Sequence, residues 1–275
     1  MKTSHRVLNP DRQAEIPGRM CALAVMTKAP RAGQVKTRLV PPLTHDEAAE
    51  LNSCFLRDIS AAILAASCSA GAGSSQESGT HGAPLQTTGR IARGVGVYTP
   101  RGAEAEYGDI LPTDFLLMPQ RGDHFGDRLI LAAEDLFKVG FASVCLINSD
   151  SPTVPAETFT LAAGLLRLPG DRIVLGPCDD GGYYLIGLKK MRREIFERID
   201  WSTERVLNQT LQRASESGLD VELLPVGYDV DDRRTLQWLC RELLGGNSRD
   251  EVAPNTRRFL TEIIKREGRA RIWPV

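Results

Sequence analysis

The sequence has no apolar stretch that approaches the ~18 consecutive residues a membrane-spanning helix needs. Residues 1–19 lack an apolar core as well. They carry Lys2, Arg6, Asp11, Arg12, Glu15 and Arg19, so they read as a polar leader and not as a secretory signal. Cysteine is sparse and scattered. Cys21, Cys54, Cys68, Cys145, Cys178 and Cys240 form no C-x-x-C pair, which argues against a zinc site or a disulfide framework. Cys21 and Cys145 sit inside apolar runs and read as small core residues. A reducing, cytoplasmic location is the expectation. A surplus of one charge is also missing. Against 35 Asp+Glu stand 34 Lys+Arg, a formal net charge of −1, which excludes a generally basic nucleic-acid binder. The basic tail, with Arg257, Arg258, Lys265, Arg266, Arg269 and Arg271, has no interleaved aromatics. It reads as one solvated helix packed on the domain, not as a nucleic-acid arm.

What is present is an ordinary globular composition, 42% apolar and 25% charged over 275 residues. That length supports a substantial core. The first apolar run, Cys21–Met26, is a buried strand candidate. Thr44-His-Asp-Glu47 has the form of a capping box, and Ala48, Leu51, Phe55, Ile59 and Ile63 follow at helical spacing to about Ser67. Residues 69–90, rich in Ser and Gly, read as a flexible insertion between core elements. Further strands are expected at 91–98, 115–118, 142–147, 173–175, 183–188 and 221–224. Helices are expected at 125–137, 155–168, 202–217, 233–244 and 255–266. This alternation implies an α/β fold with a Rossmann-like, mostly parallel sheet flanked by helices. It forms a single domain over residues 20–244, with a tail at 245–275. Ligands in such sheets sit beyond the carboxyl ends of the strands.

Three loops in those places carry chemistry. The first, Thr27–Arg38, holds Lys28, Arg31, Lys36 and Arg38 and no acid, with Gly33 free to adopt positive φ. An anion site outweighs a solvated basic loop there. The second, Asn148–Thr153, places Ser149 and Asp150 at the end of the central strand. Asp150 can hold a hard divalent cation, or Asp150 or Ser151 can cap the next helix. The third, Gly176–Tyr184, holds Asp179, Asp180, Gly181, Gly182 and Tyr183. The acids suit metal, a sugar hydroxyl or base catalysis, and the bland alternative is an Asp-Gly hairpin turn. Later, Asp229-Val-Asp231 puts two acids on one side of an extended segment, as a second metal contact, or Asp231 and Asp232 cap the following helix. Trp201 is either an acceptor platform or a core residue, with the core reading preferred.

In this order, Lys28–Leu39, Ser149–Pro152, Gly176-Pro177 with Asp180–Tyr184, Ile199–Thr203 and Asp229–Asp231 resemble a bacterial glycosyltransferase family. Its members are often named radical-SAM/selenodomain-associated transferases. That family is similar to the nucleotide-diphospho-sugar transferases of GT-A fold. The resemblance implies a nucleotide-activated donor, a small-molecule acceptor and a divalent metal, Mg²⁺ or Mn²⁺. It implies donor contacts from Lys28, Arg31, Gly33, Lys36, Arg38 and Ser149, and metal contacts from Asp150, Asp229 and Asp231. It places Asp179, Gly181, Gly182 and Tyr183 on the acceptor side, with Asp180 as catalytic base. The family's acid pair is incomplete, because position 148 is Asn, and Asp179 stands where Glu is common. Glycosyl transfer is the leading expectation. Val35–Leu39 also resembles the loop of the 2-phospho-lactate guanylyltransferases, which keeps nucleotidyl transfer open beside it. A nucleotide-binding module without turnover is the third reading.

Overall fold

In the computed structural model, residues 4–12, 16, 19–68, 90–246 and 251–272 are described. The insertion expected over 69–90 lies outside them except for Arg90. Seven strands form one sheet: β1 (Cys21–Lys28), β2 (Ala92–Thr99), β3 (Leu116–Pro119), β4 (Ser143–Ile147), β5 (Arg172–Pro177), β6 (Tyr183–Leu188) and β7 (Asp220–Leu223). Their spatial order is β3-β2-β1-β4-β6-β5-β7. All neighbouring strands are parallel except at β6, which runs antiparallel to both β4 and β5. β4 is buried along its whole length, as the apolar run Val144–Ile147 requires.

Helices cover both faces. α1 (His45–Cys68) and α3 (Ala156–Leu165) pack one side, where Leu56, Ile59, Ile63 and Phe159 join the core under β1 and β4. α2 (Phe125–Lys138) and α4 (Val206–Glu216) pack the other, through Leu129, Ala133, Leu136 and Ala214. The amino-terminal half of α1 does something else. Its Leu51 and Phe55 join Leu236, Leu239, Leu260 and Ile263 of α5 (Arg233–Leu244) and α6 (Pro254–Glu267) in a third cluster. Among the described residues, no helix is long and apolar enough to cross a membrane.

The capping box at the start of α1 forms as its sequence predicts. Thr44 Oγ1 accepts from the Glu47 N–H at 3.2 Å, and Glu47 Oε2 accepts from the Thr44 N–H at 2.8 Å. Glu47 also receives Arg266 at 2.7 Å and Arg271 of the short α7 (Arg269–Ile272) at 2.5 Å. Buried Asp58 caps α6 from the side, accepting from the backbone N–H groups of Asn255 and Thr256 at 3.0 and 2.9 Å. The tail helix is thus fastened to α1 by charge and by apolar contact. At the other end, the leader lends the sheet edge a parallel bridge from Val7 to Leu117 and buries His5, Leu8 and Ile16. α4 starts at Val206 and not at Ser202, because Ser202 adopts a left-handed φ of 64° that a helix cannot contain.

Candidate active site

The loop leaving β1 curls over the carboxyl edge of the sheet. Lys36 holds a left-handed φ of 49° there, an uncommon conformation for a residue with a Cβ. That turn drives its side chain inward until it is 5% exposed. The Nζ lies 2.6 Å from Asp150 Oδ1 and 3.0 Å from Asp231 Oδ1, donates to the Val230 carbonyl at 2.7 Å, and faces the Phe55 ring at 5.4 Å. Burial alone would lower the Lys36 pKa. The charges of Asp150 and Asp231 outweigh it and hold the pKa above the usual lysine value. Arg38 reaches Asp231 Oδ2 at 2.7 Å while staying 71% exposed. Around these groups opens a polar pocket of about 220 Å³, lined also by Lys28, Gln34, Thr37, Asn52 and Ser149.

Behind Asp150 lies a second carboxylate. Asp229 Oδ1 accepts from Asn148 Nδ2 and Ser151 Oγ, each at 2.6 Å, and from the Cys178 thiol at 3.2 Å. Burial raises the Asp229 pKa, and the nearby charges of Asp150 and Asp231 add to it, against the bonds from Ser151 and Cys178. Ser151 therefore braces a carboxylate and does not cap α3, whose N-cap is Pro155. Of the two late acids weighed as caps, Asp232 takes the role. Its carboxylate accepts from the Thr235 N–H at 2.8 Å and completes a capping box on α5.

Arg38, Ser149, Asp150 and Asp231 also border a larger cleft of about 550 Å³. Its floor is Asp180, Gly182 and Tyr183 from the β5–β6 hairpin, and its far wall is aromatic. Phe125, 53% exposed, meets Trp201 edge to face with centroids 5.4 Å apart. Trp201 fits over the start of α2 because residue 126 is glycine: a Cβ there would lie 2.4 Å from Trp201 Nε1. Trp201 both lines the cleft and packs on the core, so the two readings offered for it hold together. Gly181 has φ +84° and accepts from the Leu207 N–H through its carbonyl at 2.8 Å. A Cβ there would strike the Glu204 carbonyl oxygen at 2.2 Å. The loop is thus a tight hairpin turn and a cleft wall at once. Asp180 is fixed by its own turn, Oδ1 accepting from the Gly182 N–H at 2.9 Å.

The structure brings Lys28, Lys36, Arg38, Ser149, Asp150 and Asp231 to one pocket, and Asp180, Gly182, Tyr183 and Asp229 to the adjoining cleft. It turns Arg31 away, into a two-pronged pair with Glu106 at 2.5–3.1 Å. Asp179 is exposed and lines neither cavity. Gly33, with φ +72°, shapes the loop without lining the pocket. Sequence reasoning missed Gln34, Asn52, Phe125 and Glu204. Of these, Asn52 carried a signal, a polar residue on the apolar face of α1.

The chemistry of the donor set tests the metal. Asp150 and Asp229 each bond the protein through Oδ1, and their Oδ2 atoms take no hydrogen bond from the described residues. Two hard oxygens beside a cation-lined pocket fit Mg²⁺ or Mn²⁺, which complete their shells with water and phosphate oxygens. Asp231 spends Oδ1 on Lys36 and Oδ2 on Arg38, so it holds the cations.

Residues 85–203 match a family described as an uncharacterized protein conserved in bacteria (DUF2064). This segment carries the Asn148–Thr153 and Gly176–Tyr184 loops. No curated protein matches the chain. Among solved structures, the chain is similar to a protein of Desulfovibrio desulfuricans G20 provisionally named a nucleotide-diphospho-sugar transferase. The two are 26% identical over 93% of this chain and 98% of that one, with a TM-score of 0.72. More distant matches include a cytidylyltransferase from Leptospira borgpetersenii (11% identity, 93% and 98% covered, TM-score 0.45). They also include a mannosyltransferase from Pyrobaculum calidifontis in complex with GDP-Man and Mn²⁺ (12%, 92% and 77%, TM-score 0.43). The chain thus has the α/β fold of the nucleotide-diphospho-sugar transferases, the GT-A architecture its sequence implied.

Proposed function

We propose that the protein is a transferase using a nucleotide-activated donor, and that it moves a glycosyl group from a nucleoside-diphosphate sugar to a small acceptor. One observation carries this reading: a cation-lined pocket and an acid-lined aromatic cleft adjoin and share Arg38, Ser149, Asp150 and Asp231. Lys28 and Arg38 face the pocket and supply charge-assisted hydrogen bonds to a diphosphate. Lys36 adds a fixed positive charge beneath it. A divalent cation held by Asp150 and Asp229 would supply further positive charge beside the departing diphosphate. In the cleft, the Phe125–Trp201 pair offers faces on which sugar C–H groups pack. Asp180 is the base that takes the acceptor's hydroxyl proton as its oxygen attacks the sugar carbon. A reducing, cytoplasmic setting suits the five described cysteines, all free and buried.

The same cleft disfavours nucleotidyl transfer. That reaction needs an acceptor bearing a phosphate. The charged residues lining the cleft, among those described, are Asp150, Asp180, Glu204, Asp229, Asp231 and Asp232 against Arg38. Carboxylates at this density repel a phosphorylated acceptor and accept from hydroxyls or amines. Product analysis tests the reading. Purified protein with Mg²⁺ or Mn²⁺ is incubated with UDP-, GDP-, ADP- and CDP-sugars, and in parallel with nucleoside triphosphates, over a panel of small acceptors. Free nucleoside diphosphate with a glycosylated product is expected. Pyrophosphate released from a triphosphate would overturn it.

A further inference from the structure

The donor pocket contains a side chain that nothing above uses. Asn52 is 4% exposed on α1, one turn before Phe55, and lines the pocket beside Lys28, Gln34 and Lys36. Its Oδ1 is fully covered and has no hydrogen-bond partner, and its Nδ2 meets none among the described residues. The other buried polar groups of α1 are satisfied. Ser53 and Ser67 bond helix carbonyls at 3.1 and 2.8 Å, Ser60 bonds that of Arg57 at 3.1 Å, and Asp58 takes its donors from α6. A buried acceptor without a donor is costly and rare. The two ends of an amide exchange places when it turns over, so an unbonded amide on a residue that lines a cavity is an unfilled half of a recognition contact.

The missing partner must be a donor. An ionised phosphate or diphosphate offers only acceptor oxygens, so the cations of the pocket can hold it but it cannot satisfy Oδ1. We propose that Asn52 reads a sugar hydroxyl joined to the diphosphate, its amide turning so that Oδ1 accepts from that hydroxyl. Asn52 is then a specificity residue that separates a sugar-linked diphosphate from a bare one. The inference rests on the donor reading above only in taking the pocket's ligand to be a diphosphate.

The experiment compares the wild type with Asn52→Leu, which matches the shape without the polar atoms, and with Asn52→Ala. Melting temperatures are measured without ligand and with pyrophosphate, UDP, GDP, UDP-glucose and GDP-mannose, and dissociation constants follow for those that bind. Without ligand, Asn52→Leu should melt about 2–12 °C higher, the shift for relieving one unsatisfied buried polar atom in a chain of this size. Affinity for the sugar-linked diphosphates should fall about 10-fold in both variants, the value of one hydrogen bond. Pyrophosphate affinity should stay within about 2-fold. Loss already present with UDP or GDP assigns the hydroxyl to the ribose, and loss confined to UDP-glucose or GDP-mannose assigns it to the transferred sugar; either supports the proposal. Equal losses for pyrophosphate and nucleotides, or a lower melting temperature with nucleotide binding intact, would make Asn52 merely structural and overturn it. A wild type shifted by none of the five would instead sink the donor reading, and this inference with it.

Discussion

Replacing Lys36 by Met removes the charge and its hydrogen bond to the Val230 carbonyl. The ammonium sits between Asp150 and Asp231 at 2.6 and 3.0 Å, and the side chain is 5% exposed. Removing one partner of a fully buried ion pair costs ~3–5 kcal/mol, because the remaining charge is stranded. Here the stranded carboxylates are 30% and 35% exposed, so water recovers part of that. A loss of ~2–3 kcal/mol remains. For a chain of this size each kcal/mol lowers the melting temperature by roughly 2–4 °C, so a fall of roughly 4–12 °C is expected at pH 7. The assay is thermal melting in EDTA of the wild type, Lys36→Met, Asp231→Asn and the double variant. Asp231→Asn removes one of the stranded charges, so the double variant should lose ~1–2 kcal/mol less than the sum of the two singles. Adding Mg²⁺ should raise the melting temperature of Lys36→Met more than that of the wild type, since the carboxylates then lack their internal cation. A loss below ~1 kcal/mol, or strict additivity in the cycle, would show that Lys36 does not hold the acids together.

Three further outcomes follow from the same geometry. Arg38→Ala should weaken nucleoside-diphosphate binding by ~1.5–3 kcal/mol, the range for bonds to charged groups, with the melting temperature almost unmoved; an unchanged dissociation constant by calorimetry would take the loop out of the site. Gly126→Ala should push Trp201 off α2 and raise the acceptor KM several-fold while leaving nucleotide binding intact, and an unaltered acceptor KM would mean that Trp201 does not touch the acceptor. Glu47→Gln should loosen the carboxyl-terminal helices by ~1–2 kcal/mol near neutrality. Burial would raise the Glu47 pKa, but the bonds from Arg271 and Thr44 prevail and hold it below the ordinary 4.5. A carboxylate lowered in this way stabilises the fold above its unfolded value, and that contribution disappears as the pH falls through the lowered one. The difference in melting temperature between variant and wild type should be full at pH 7 and vanish in stronger acid. A pH-independent difference would refute the clamp.

The elements most legible in the sequence were those decided locally. β4 announces itself because Val144–Ile147 is apolar on both faces, and α1 because Thr44 and Glu47 box its first turn. The site was legible in outline for a topological reason. Loops leaving the carboxyl edge of a parallel sheet must converge, so Lys28, Lys36, Arg38 and Asp150 had to be neighbours once the strands were right. What stayed hidden depends on partners distant in the chain. Arg31 looks like its neighbours until Glu106, 75 residues on, takes it away. The leader looks merely polar until Val7 finds the edge of β3 at Leu117. The glycine at 126 has no local purpose and acquires one only when Trp201 arrives. Ser202 looks like a helix cap, but its left-handed turn delays α4 to Val206.

Asn148 shows how one position reads differently by the two routes. As sequence it is a missing acid, a weakness in a metal motif. In the fold, Asp150 and Asp231 already share one lysine, and Asp229 has its pKa raised by burial first and by the charges of Asp150 and Asp231 after it. A fourth carboxylate at 148 would lie against Asp229 and raise its pKa further. The amide does the opposite. Its Nδ2 donates to Asp229 Oδ1 at 2.6 Å and lies 3.1 Å from Ser151 Oγ, while its Oδ1 accepts from the Asp150 N–H at 3.3 Å. Asn148 therefore fixes the Oδ1 side of Asp229 and orders the turn that carries Asp150, the two carboxylates whose Oδ2 atoms take no hydrogen bond from the described residues. The incomplete acid pair is the arrangement that spares Asp229 a further charged neighbour beside the turn that carries Asp150.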